Sequence, residues 1–488
     1  MSPEAMQKDA HLTGNSGRSP AVGGPRRTRK RRWSLLIIVV VVALGAVAYF
    51  ALVYKPAIAP LPEGQVPTFG VALVAKGSSL ASIGDCASCH TTATGAPLAG
   101  GLPVPTPFGT IYSSNITPDR ETGIGTWTEA AFARALQEGV NAAGHYLYPA
   151  FPFDHFTHVT ADDAIALYAY LMTRDPVKFT PPANQLGFPY NIRTIMAGWD
   201  LLFLKKGVIA ADPNQNAEWN RGRYLVEGLG HCGSCHTPRN SLGAEDTGDE
   251  YAGGPVIDGW YVYAINDTSP APFKWDADGL AGYLRTGFSA QHGASFGPMA
   301  QVTARLGEAS DADVHAMGVY VASLMARSNA PAPPPLPAQP ILTSGDSLAP
   351  PMVVDVSAGR GATIYAAVCS SCHESGRLPP FGGIDFHDST AVHADDPQNI
   401  IDMVLFGLPA GEGRTFATMP GFAGTLSQDD MVALLTYLRT TFAPGKPAWS
   451  SAASLVASTM SGATPVKLYS EDGVQRGPSP VNPPGANP

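Results

Sequence analysis

Six cysteines fall in three pairs along the chain, and a histidine follows each pair directly. The three motifs are Cys86-Ala87-Ser88-Cys89-His90, Cys232-Gly233-Ser234-Cys235-His236 and Cys369-Ser370-Ser371-Cys372-His373. Two thiols one helical turn apart can bond the two vinyl groups on one edge of a porphyrin, and the adjacent imidazole can then bind its iron. The motifs therefore predict three covalently attached c-type haems, each with the histidine of its motif as the proximal ligand.

Paired cysteines could instead form disulfides, redox-active dithiols or zinc sites. A zinc ribbon places its two cysteine pairs about 15–20 residues apart, whereas these pairs lie 146 and 137 residues apart. A dithiol redox centre does not need a histidine after every second cysteine. Because no cysteine is left over, haem attachment accounts for all six.

Two methionines are candidates for the second axial position of the iron. An electron carrier usually has both axial positions filled, and a methionine opposite the histidine raises the reduction potential. Met299 follows Gly297-Pro298 and Met419 precedes Pro420-Gly421, so both lie in loop sequences from which a thioether can reach iron. We predict Met299 as the ligand of the second haem and Met419 as the ligand of the third.

The first copy has Phe151 at the corresponding distance before its last helix, and phenylalanine cannot bind iron. This haem either has an open face or takes its ligand from a neighbouring histidine. We predict His155 as this ligand, with His158 and His145 as alternatives. A haem with two histidine ligands would have a lower potential than its Met/His neighbours.

Each proximal histidine also needs an acceptor for its second ring nitrogen. Pro97 and Pro380 each lie seven residues after a haem histidine. Their carbonyls are the predicted acceptors in the first and third copies, while the second copy has no proline at this offset.

The sequence around each motif repeats, which predicts a mostly α-helical protein with three tandem cytochrome c-like domains. A basic residue and a glycine precede each motif, and a capping box opens an apolar helix after it. The pairs and boxes are Lys76-Gly77 with Thr160-x-x-Asp163, Arg221-Gly222 with Ser310-x-x-Asp313, and Arg360-Gly361 with Ser427-x-x-Asp430. The predicted boundaries are 65–174, 217–328 and 353–445 for the domains, 175–216 for a linker strap, 329–352 for a proline-rich linker and 446–488 for a flexible tail.

The N-terminal part of the chain differs from the rest in charge. Residues 1–54 contain eight Lys/Arg and two Asp/Glu, whereas the remainder contains 23 and 38. A basic head at 1–32 precedes the uncharged run 33–53, which is long enough to span about 30 Å as a helix. This pattern predicts a cytoplasmic head, one N-terminal transmembrane helix and haem domains in the periplasm, with a cleaved signal peptide as the alternative. The acidic bulk argues against a nucleic-acid partner.

Residues 65–445 resemble the triheme cytochrome c subunits of bacterial membrane-bound dehydrogenases. The resemblance rests on TPFGTIY at 106–112, NITPD at 115–119, TGIG-x-W at 122–127, YPA at 148–150 and HTPRN at 236–240. Such subunits take electrons from a periplasmic dehydrogenase and deliver them to ubiquinone in the membrane or to a terminal oxidase. The resemblance therefore implies an electron carrier with no substrate-converting site of its own.

The family serves quinoprotein alcohol dehydrogenases, flavin-containing sugar-acid dehydrogenases and molybdenum hydroxylases. The alcohol and gluconate branches usually have Pro-Ala-Met-Pro-Tyr in the first copy, where this chain has Phe151 followed by Asp154-His155-Phe156. These residues, with the runs 189–193 and 197–199, are more similar to the molybdenum branch. That branch implies a molybdopterin-binding subunit and an iron–sulfur (2Fe-2S) subunit as partners, with aldehyde dehydrogenase as the leading member.

Two other functions remain open from the sequence. A multihaem peroxidase or reductase would bind its substrate at an open first haem. A donor that takes electrons from quinol would reverse the direction of flow. The chain has no dinucleotide-binding glycine fingerprint and no phosphate-binding loop, so flavin or nicotinamide binding is not predicted.

Overall fold

The computed structural model describes residues 26–48, 50, 53–65, 67–326, 328–332, 356–377, 382–408, 419–464, 466–469 and 475–476. The chain divides into two compact units, Met1–Tyr54 and Lys55–Pro488. The larger unit contains all six cysteines, so the predicted haem sites lie in it. Most of the predicted head and of the proline-rich linker, and part of the predicted tail, lie outside the described residues.

The smaller unit contains helix α1 (Arg26–Ala48), which begins within the basic cluster. Its apolar side chains from Trp33 to Leu44 are exposed. Within the part of the chain that the structure describes, no helix is both long enough and apolar enough to cross a membrane. Residues 49, 51 and 52 of the predicted segment 33–53 lie outside that part, and the transmembrane helix stays a prediction.

The larger unit is mainly helical, as the sequence predicts. Its helices are α2 (Val71–Ile83), α3 (Cys86–His90), α4 (Glu129–Glu138), α5 (Phe153–Phe156), α6 (Ala161–Met172), α7 (Met196–Phe203), α8 (Ala217–Tyr224), α9 (Gly233–His236), α10 (Ala277–Thr286), α11 (Pro298–Leu306), α12 (Asp311–Met325), α13 (Arg360–Val368), α14 (Ser370–His373), α15 (Thr390–His393), α16 (Gln398–Phe406), α17 (Gln428–Phe442) and α18 (Ala452–Met460). Short 3-10 turns lie at Arg193–Ile195 and Val356–Ala358, and a π-helical turn at Leu225–Leu229 continues α8.

The strands of the larger unit are short. They are β1 (Pro103–Thr106), β2 (Gly109–Tyr112), β3 (Gln185–Leu186), β4 (Val256–Ile257), β5 (Trp260–Tyr261), β6 (Phe288–Ser289), β7 (Gly293–Ala294), β8 (Leu468–Tyr469) and β9 (Gln475–Arg476). Strands β1, β2 and β3 form one antiparallel sheet in that order, and the others pair as β4–β5, β6–β7 and β8–β9. Strand β3 comes from the predicted linker strap, which is therefore attached to the first domain.

One helix crossing occurs three times, once in each of the three predicted domains. Helix α2 packs on α6, α8 on α12, and α13 on α17. At each crossing, a glycine of the first helix meets a backbone carbonyl of the last. A Cβ atom would lie 1.9, 1.9 and 2.2 Å from that oxygen at Gly77, Gly222 and Gly361, respectively. These contacts leave no room for a side chain, which explains why the sequence repeats a glycine there.

The repeated basic residue of the first helix is bonded to the aspartate of the repeated helix cap across the same crossing. The cap side chain accepts a hydrogen bond from the aspartate N–H in Thr160–Asp163, Ser310–Asp313 and Ser427–Asp430. Each aspartate carboxylate binds a basic residue of the first helix, at 2.6 Å in Lys76–Asp163, 2.7 Å in Arg221–Asp313 and 2.6 Å in Arg360–Asp430. A cap contributes about 1 kcal/mol to stability. The ion pair beside it joins the first helix of each domain to the last and so fixes their crossing.

The first two domains share one buried core, whereas the third has its own. Leu80 and Leu167 of the first domain belong to the same apolar cluster as Leu229 and Met317 of the second. The core of the third domain centres on residues of α13, α16 and α17 and includes Trp449 and Val456. This part of the predicted flexible tail 446–488 is therefore packed on the third domain, and α18 lies within it. The shared core holds the first two motifs at a fixed separation.

Candidate haem sites

The three motif histidines are held in the same way. The Nδ1 atom of His90 donates to the carbonyl of Ser114 at 2.6 Å, that of His236 to Tyr263 at 2.7 Å, and that of His373 to Ile384 at 2.7 Å. A proton on Nδ1 leaves the lone pair on Nε2, which is the nitrogen that binds haem iron. The chain therefore fixes the tautomer and the ring orientation at all three motifs.

The acceptors differ from those predicted at Pro97 and Pro380. The carbonyls that are used lie 24, 27 and 11 residues after the histidine, so no single offset describes them. Pro97 is therefore wrong as the acceptor for His90, and Pro380 lies outside the described residues. In the third motif a Cβ atom on Gly383 would lie 2.7 Å from Nδ1 of His373. The glycine thus lets the backbone approach the ring closely enough for Nδ1 of His373 to donate to the carbonyl of Ile384.

The protonation of these histidines suits a metal ligand. Burial lowers the pKa of His90, His236 and His373, and the bonds to the backbone carbonyls oppose this effect only in part. The imidazoles are therefore neutral near pH 7, which is the form that binds iron.

The cysteines do not have the surroundings of a thiol-redox centre. None of the six forms a disulfide, and burial raises the pKa of Cys86, Cys232 and Cys369 to about 12. Dithiol catalysis needs a lowered thiol pKa, so the first cysteine of each motif is poorly suited to it. Among the described residues, no cysteine belongs to a group of three potential metal ligands, which argues against structural zinc. Covalent attachment of haem fits these residues.

The three residues at the position expected for the sixth ligand lie at one offset from a shared glycine. A glycine with positive φ ends α4, α10 and α16, at Gly139, Gly287 and Gly407. Phe151, Met299 and Met419 each follow that glycine by 12 residues. Phe151 therefore stands in the first domain where the other two have a thioether.

The surroundings of the two methionines differ in detail. Met299 does not lie in the predicted loop but is the second residue of α11, whose N-terminus Pro298 favours, and it packs against the core that also contacts Cys232. Met419 pairs with Leu408 in an antiparallel bridge and packs against the core that contains Cys369. Each methionine is thus half-buried against a core that includes a motif cysteine of its own domain, and the assignment of both as ligands stays a prediction.

Comparison with known proteins identifies the class of chain to which these sites belong. A family model described as cytochrome C oxidase, cbb3-type, subunit III matches residues 356–438. The chain is 35% identical to the gluconate 2-dehydrogenase cytochrome c subunit of Pantoea cypripedii, over 77% of this chain and 87% of the relative. It is 33% identical to the cytochrome c subunit of alcohol dehydrogenase (quinone) from Gluconacetobacter polyoxogenes, over 80% and 85%. The chain belongs to the cytochrome c subunits of dehydrogenase complexes.

A further relative of this cytochrome subunit is much longer. A nicotinate dehydrogenase subunit of Pseudomonas putida is 41% identical over 93% of this chain, and the match spans only 38% of the relative. The family and the matched cytochrome domain imply covalently bound haem c and an electron-transfer role in dehydrogenases. The presence of three haems stays a prediction that rests on the three motifs.

His155 of the cytochrome subunit does not have the geometry predicted for it. Its Nδ1 donates to the carbonyl of Glu227 at 2.7 Å, and its Nε2 donates to Oε1 of Glu245 at 2.6 Å. Both partners are acceptors, so both ring nitrogens carry protons. Burial lowers the pKa of His155, but the bond and charge of Glu245 and the charge of Asp154 outweigh this and raise it overall. A doubly protonated imidazole has no lone pair for iron, which argues against His155 as the sixth ligand of the first haem.

His155 instead joins the first domain to the second motif. A Cβ atom on Gly233 would lie 3.0 Å from Cε1 of His155, so the ring lies directly on the second motif. With Asp154 and Glu245, it forms the one group of three potential metal ligands found in the described part of the chain. The guanidinium of Arg239 lies 3.9 Å from Glu245, and both ring nitrogens are bonded, so we interpret the group as an ion-pair network.

The other two histidines considered for the first haem differ from His155. The Nδ1 atom of His158 donates to the carbonyl of Gly207 at 2.6 Å, which leaves the lone pair on Nε2 as in the motif histidines. The side chain of His145 is exposed. His158 and His145 thus remain as candidates, with an open face as the alternative.

Two histidines that the sequence reasoning missed lie between domains, His231 partly buried and His292 buried. His231 precedes the second motif, and its Nε2 donates to the carbonyl of Gly84, two residues before Cys86, at 3.4 Å. Burial lowers the pKa of His231 to about 4, so the imidazole stays neutral. His292 stacks on Trp275 at 3.7 Å between ring centroids, and its carbonyl accepts from the third domain. The doublet His231-Cys232 was the only sequence signal for either residue.

Proposed function

We propose that this cytochrome c chain carries three haems and passes electrons from a dehydrogenase subunit to an acceptor in the membrane. The observation that carries the proposal is the bond from Nδ1 to a backbone carbonyl behind all three motif histidines. Haem iron supplies a one-electron redox couple. The chain's own residues hold each imidazole in one tautomer, attach the porphyrin edge through two thiols and keep the first two sites together through a shared core.

We assign Met299 and Met419 as the sixth ligands of the second and third haems. Their support is the common 12-residue offset and their packing against the cores that include Cys232 and Cys369. Met/His ligation gives these two haems higher potentials than a haem with two histidines. Phe151 in the first domain implies a first haem with different ligation, and therefore a different potential.

The partner we infer is a molybdopterin-binding dehydrogenase subunit together with a 2Fe-2S subunit. Its support is the sequence at 151–156, 189–193 and 197–199, and the 41% identity to the nicotinate dehydrogenase subunit of Pseudomonas putida. That relative favours a carboxylated nitrogen heterocycle of the nicotinate type as the substrate, with aldehyde oxidation as the second candidate. Relatives that serve gluconate and alcohol dehydrogenases keep flavin and quinoprotein partners as alternatives.

The acceptor we infer is membrane ubiquinone, with a terminal oxidase as the alternative. The support for a membrane position is the basic cluster followed by the uncharged run 33–53, which favours a single N-terminal anchor and haem domains in the periplasm. Extraction of membranes with alkaline carbonate tests the anchor. Protease treatment of a separate sample of intact spheroplasts tests the periplasmic position. Release of the chain by carbonate would refute the anchor, and protection from external protease would refute the periplasmic position.

The central test is purification of the complex in mild detergent from its native host. Mass spectrometry should find three haem additions on this chain and co-purifying molybdopterin and iron–sulfur subunits. Addition of the dehydrogenase substrate should then reduce the haems, and addition of a ubiquinone analogue should reoxidise them. Fewer haems would overturn the cofactor assignment, and a quinoprotein or flavoprotein partner would change the substrate class but keep the electron-transfer role.

A further inference from the structure

An exposed apolar strip lies on the segment that connects the first two domains. We call it the connector strip and define it by five side chains, with exposed fractions of 82%, 42%, 41%, 73% and 69% for Phe188, Ile192, Ile195, Leu201 and Leu202. A concentration of exposed large apolar side chains marks a binding surface more often than a solvated one.

Helix α7 is fixed to both domains by its buried face. Trp199 is buried, its ring packs edge-on against Phe153 of the first domain at 5.7 Å, and its Nε1 donates to the carbonyl of Leu242 of the second at 3.1 Å. With Trp199 held on this side, Leu201 and Leu202 remain in solvent. Their exposure therefore follows from how the helix is attached.

The part of the strip before α7 is attached to the first domain. The ring of Tyr190 packs on Phe108 with centroids 4.7 Å apart, and its carbonyl accepts from Tyr148 Oη at 3.0 Å. Arg193 donates to the carbonyl of Tyr146 at 3.0 Å. These contacts hold the backbone on either side of Phe188 and Ile192, so the strip is a preformed surface.

The net charge of residues 185–206 is positive, whereas the net charge of the whole chain is negative. Residues 185–206 contain Arg193, Lys205 and Lys206 but only one acidic residue, Asp200, in a chain with a net charge of -9. The carboxyl of Asp200 is partly buried, and burial raises its pKa to about 7. Lys206 binds Glu138 at 2.6 Å, whereas no ion pair of Lys205 is found in the described residues. The strip therefore has a basic edge.

We propose that the connector strip inserts into the surface of a membrane that contains anionic lipids. An apolar face beside lysines, with aromatic residues at its margin, is the composition of helices that lie in the bilayer interface. Anionic headgroups complement Lys205 on a protein whose acidic bulk would otherwise be repelled from them. This inference rests on the proposed function in one respect, because it requires the haem domains to work beside a membrane.

The position of the strip connects it to the second motif. Leu242, which receives the bond from Trp199, belongs to a loop in which Arg239 donates to Gly243 at 2.7 Å and to Ser234, inside the motif, at 2.8 Å. Insertion of the strip therefore brings the side of the protein that carries the second motif towards the membrane. An N-terminal anchor alone would tether the haem domains without orienting them.

The test uses the full haem-containing chain in vesicles of equal parts phosphatidylcholine and phosphatidylglycerol. A fraction of the lipids carries a photoreactive diazirine on an acyl chain, and mass spectrometry locates the adducts after illumination. We expect adducts on Phe188, Leu201 and Leu202. The matched control is Val356, an exposed apolar residue of the third domain, which should carry none. Adducts within 33–53 report separately on the N-terminal segment.

Two variants sharpen this test. Leu201→Ser with Leu202→Ser should lower labelling of the peptide 185–206 several-fold without changing the haem spectrum. Lys205→Glu should lower it about fivefold in anionic vesicles and little in pure phosphatidylcholine. Labelling of 185–206 no greater than at Val356 would overturn the inference. Protection of the strip by an added dehydrogenase subunit, without lipid adducts, would make it a protein interface instead. If the same sample contains three haems that accept electrons, either failure leaves the proposed function intact.

Discussion

The first two domains share one helical framework but differ where a sixth ligand is expected. Gly77 and Gly222 approach the closing helix so closely that a Cβ atom would lie 1.9 Å from a carbonyl oxygen in both. The segments that follow α4 and α10 then place Phe151 in one domain and Met299, at the start of α11, in the other. Helix packing constrains the glycine, but it places no constraint on the ligand side chain. Two haems on the same framework can therefore differ in chemistry.

The contacts between these domains are also unequal. The first domain contributes His155, which is bonded at both ring nitrogens to the second domain and lies on the second motif. The second domain contributes His231, which makes one longer bond to the backbone before the first motif. The second motif is therefore supported by a charged side chain from its neighbour, while the first is supported by a neutral one.

The largest expected effect comes from removing one attachment site at a time. Cys232→Ala with Cys235→Ala should remove about one third of the haem, because the thioether bonds of the other two motifs remain. Cys86→Ala with Cys89→Ala is the matched change in the first domain and should remove the same fraction. Intact mass and the pyridine haemochrome spectrum measure the loss. Loss of all haem from either variant would mean that the sites are not independent.

The next effect is spectroscopic and separates the two domains directly. Met299→Ala should abolish one low-spin signal in the electron paramagnetic resonance spectrum and open that haem to carbon monoxide, because alanine cannot bind iron. Phe151→Ala should leave the number of low-spin signals unchanged. Phe151→Met is the converse change, and a new Met/His signal would show that the framework accepts a ligand there. If Met299→Ala left the spectrum unaltered, the assignment of the second ligand would be wrong.

A third effect concerns stability and the bonds of His155. His155→Leu removes the 2.6 Å bond of Glu245 in a mostly buried site and leaves only Arg239 at 3.9 Å. Breaking a buried pair costs about 3–5 kcal/mol, and the remaining contact should keep the loss near the lower end. His315 makes similar bonds of 2.8 and 2.9 Å to Glu218 and Asp278 near the surface. His315→Leu should therefore cost less than about 1 kcal/mol. Thermal unfolding of the two holoproteins measures the difference.

The cost of His155→Leu should also depend on pH in one direction. The folded-state pKa of His155 is raised, mainly because Glu245 outweighs the effect of burial. The stabilisation is thus complete below the unfolded-state pKa of about 6.5 and is lost as the pH rises through the folded-state value. A cost that grew with pH would contradict the ion pair. A change in the first haem's spectrum in the same variant would restore His155 as a ligand.

The smallest effect compares one aspartate between the first and third domains. The carboxylate of Asp163 is buried and accepts from Lys76 at 2.6 Å and from Tyr224 Oη at 2.7 Å. Asp163→Asn should cost about 1–3 kcal/mol, because a buried bonded network loses its charge. Asp430 binds Arg360 at the surface, so Asp430→Asn should have little effect on the melting temperature. Equal losses would show that the capping role outweighs the ion pair.

The parts of the fold that depend on local sequence could be predicted, and the parts that depend on distant backbone could not. The repeated glycine and basic residue indicated each helix crossing. The glycine is required by the close backbone contact, and the basic residue binds the aspartate of the opposite helix. The carbonyls of Ser114, Tyr263 and Ile384 gave no such signal, since every residue carries a carbonyl and the loops before them differ in length.

His155 shows a second limit of the sequence. Its position after Phe151 suggested a ligand of the nearest haem. Its partners Glu227 and Glu245 lie 72 and 90 residues away in the next domain. A spacing rule within one repeat cannot predict a contact that forms only when two repeats pack together.

The backbone bonds behind the three proximal histidines have a genetic consequence. A mutation at position 114, 263 or 384 to another non-proline residue replaces the side chain but keeps the carbonyl. Such single codon changes therefore leave the acceptor in place, unlike a carboxylate partner that one nucleotide can remove. Substitutions at these positions can therefore change the side chains around a haem while the backbone acceptor that orients the proximal imidazole is kept.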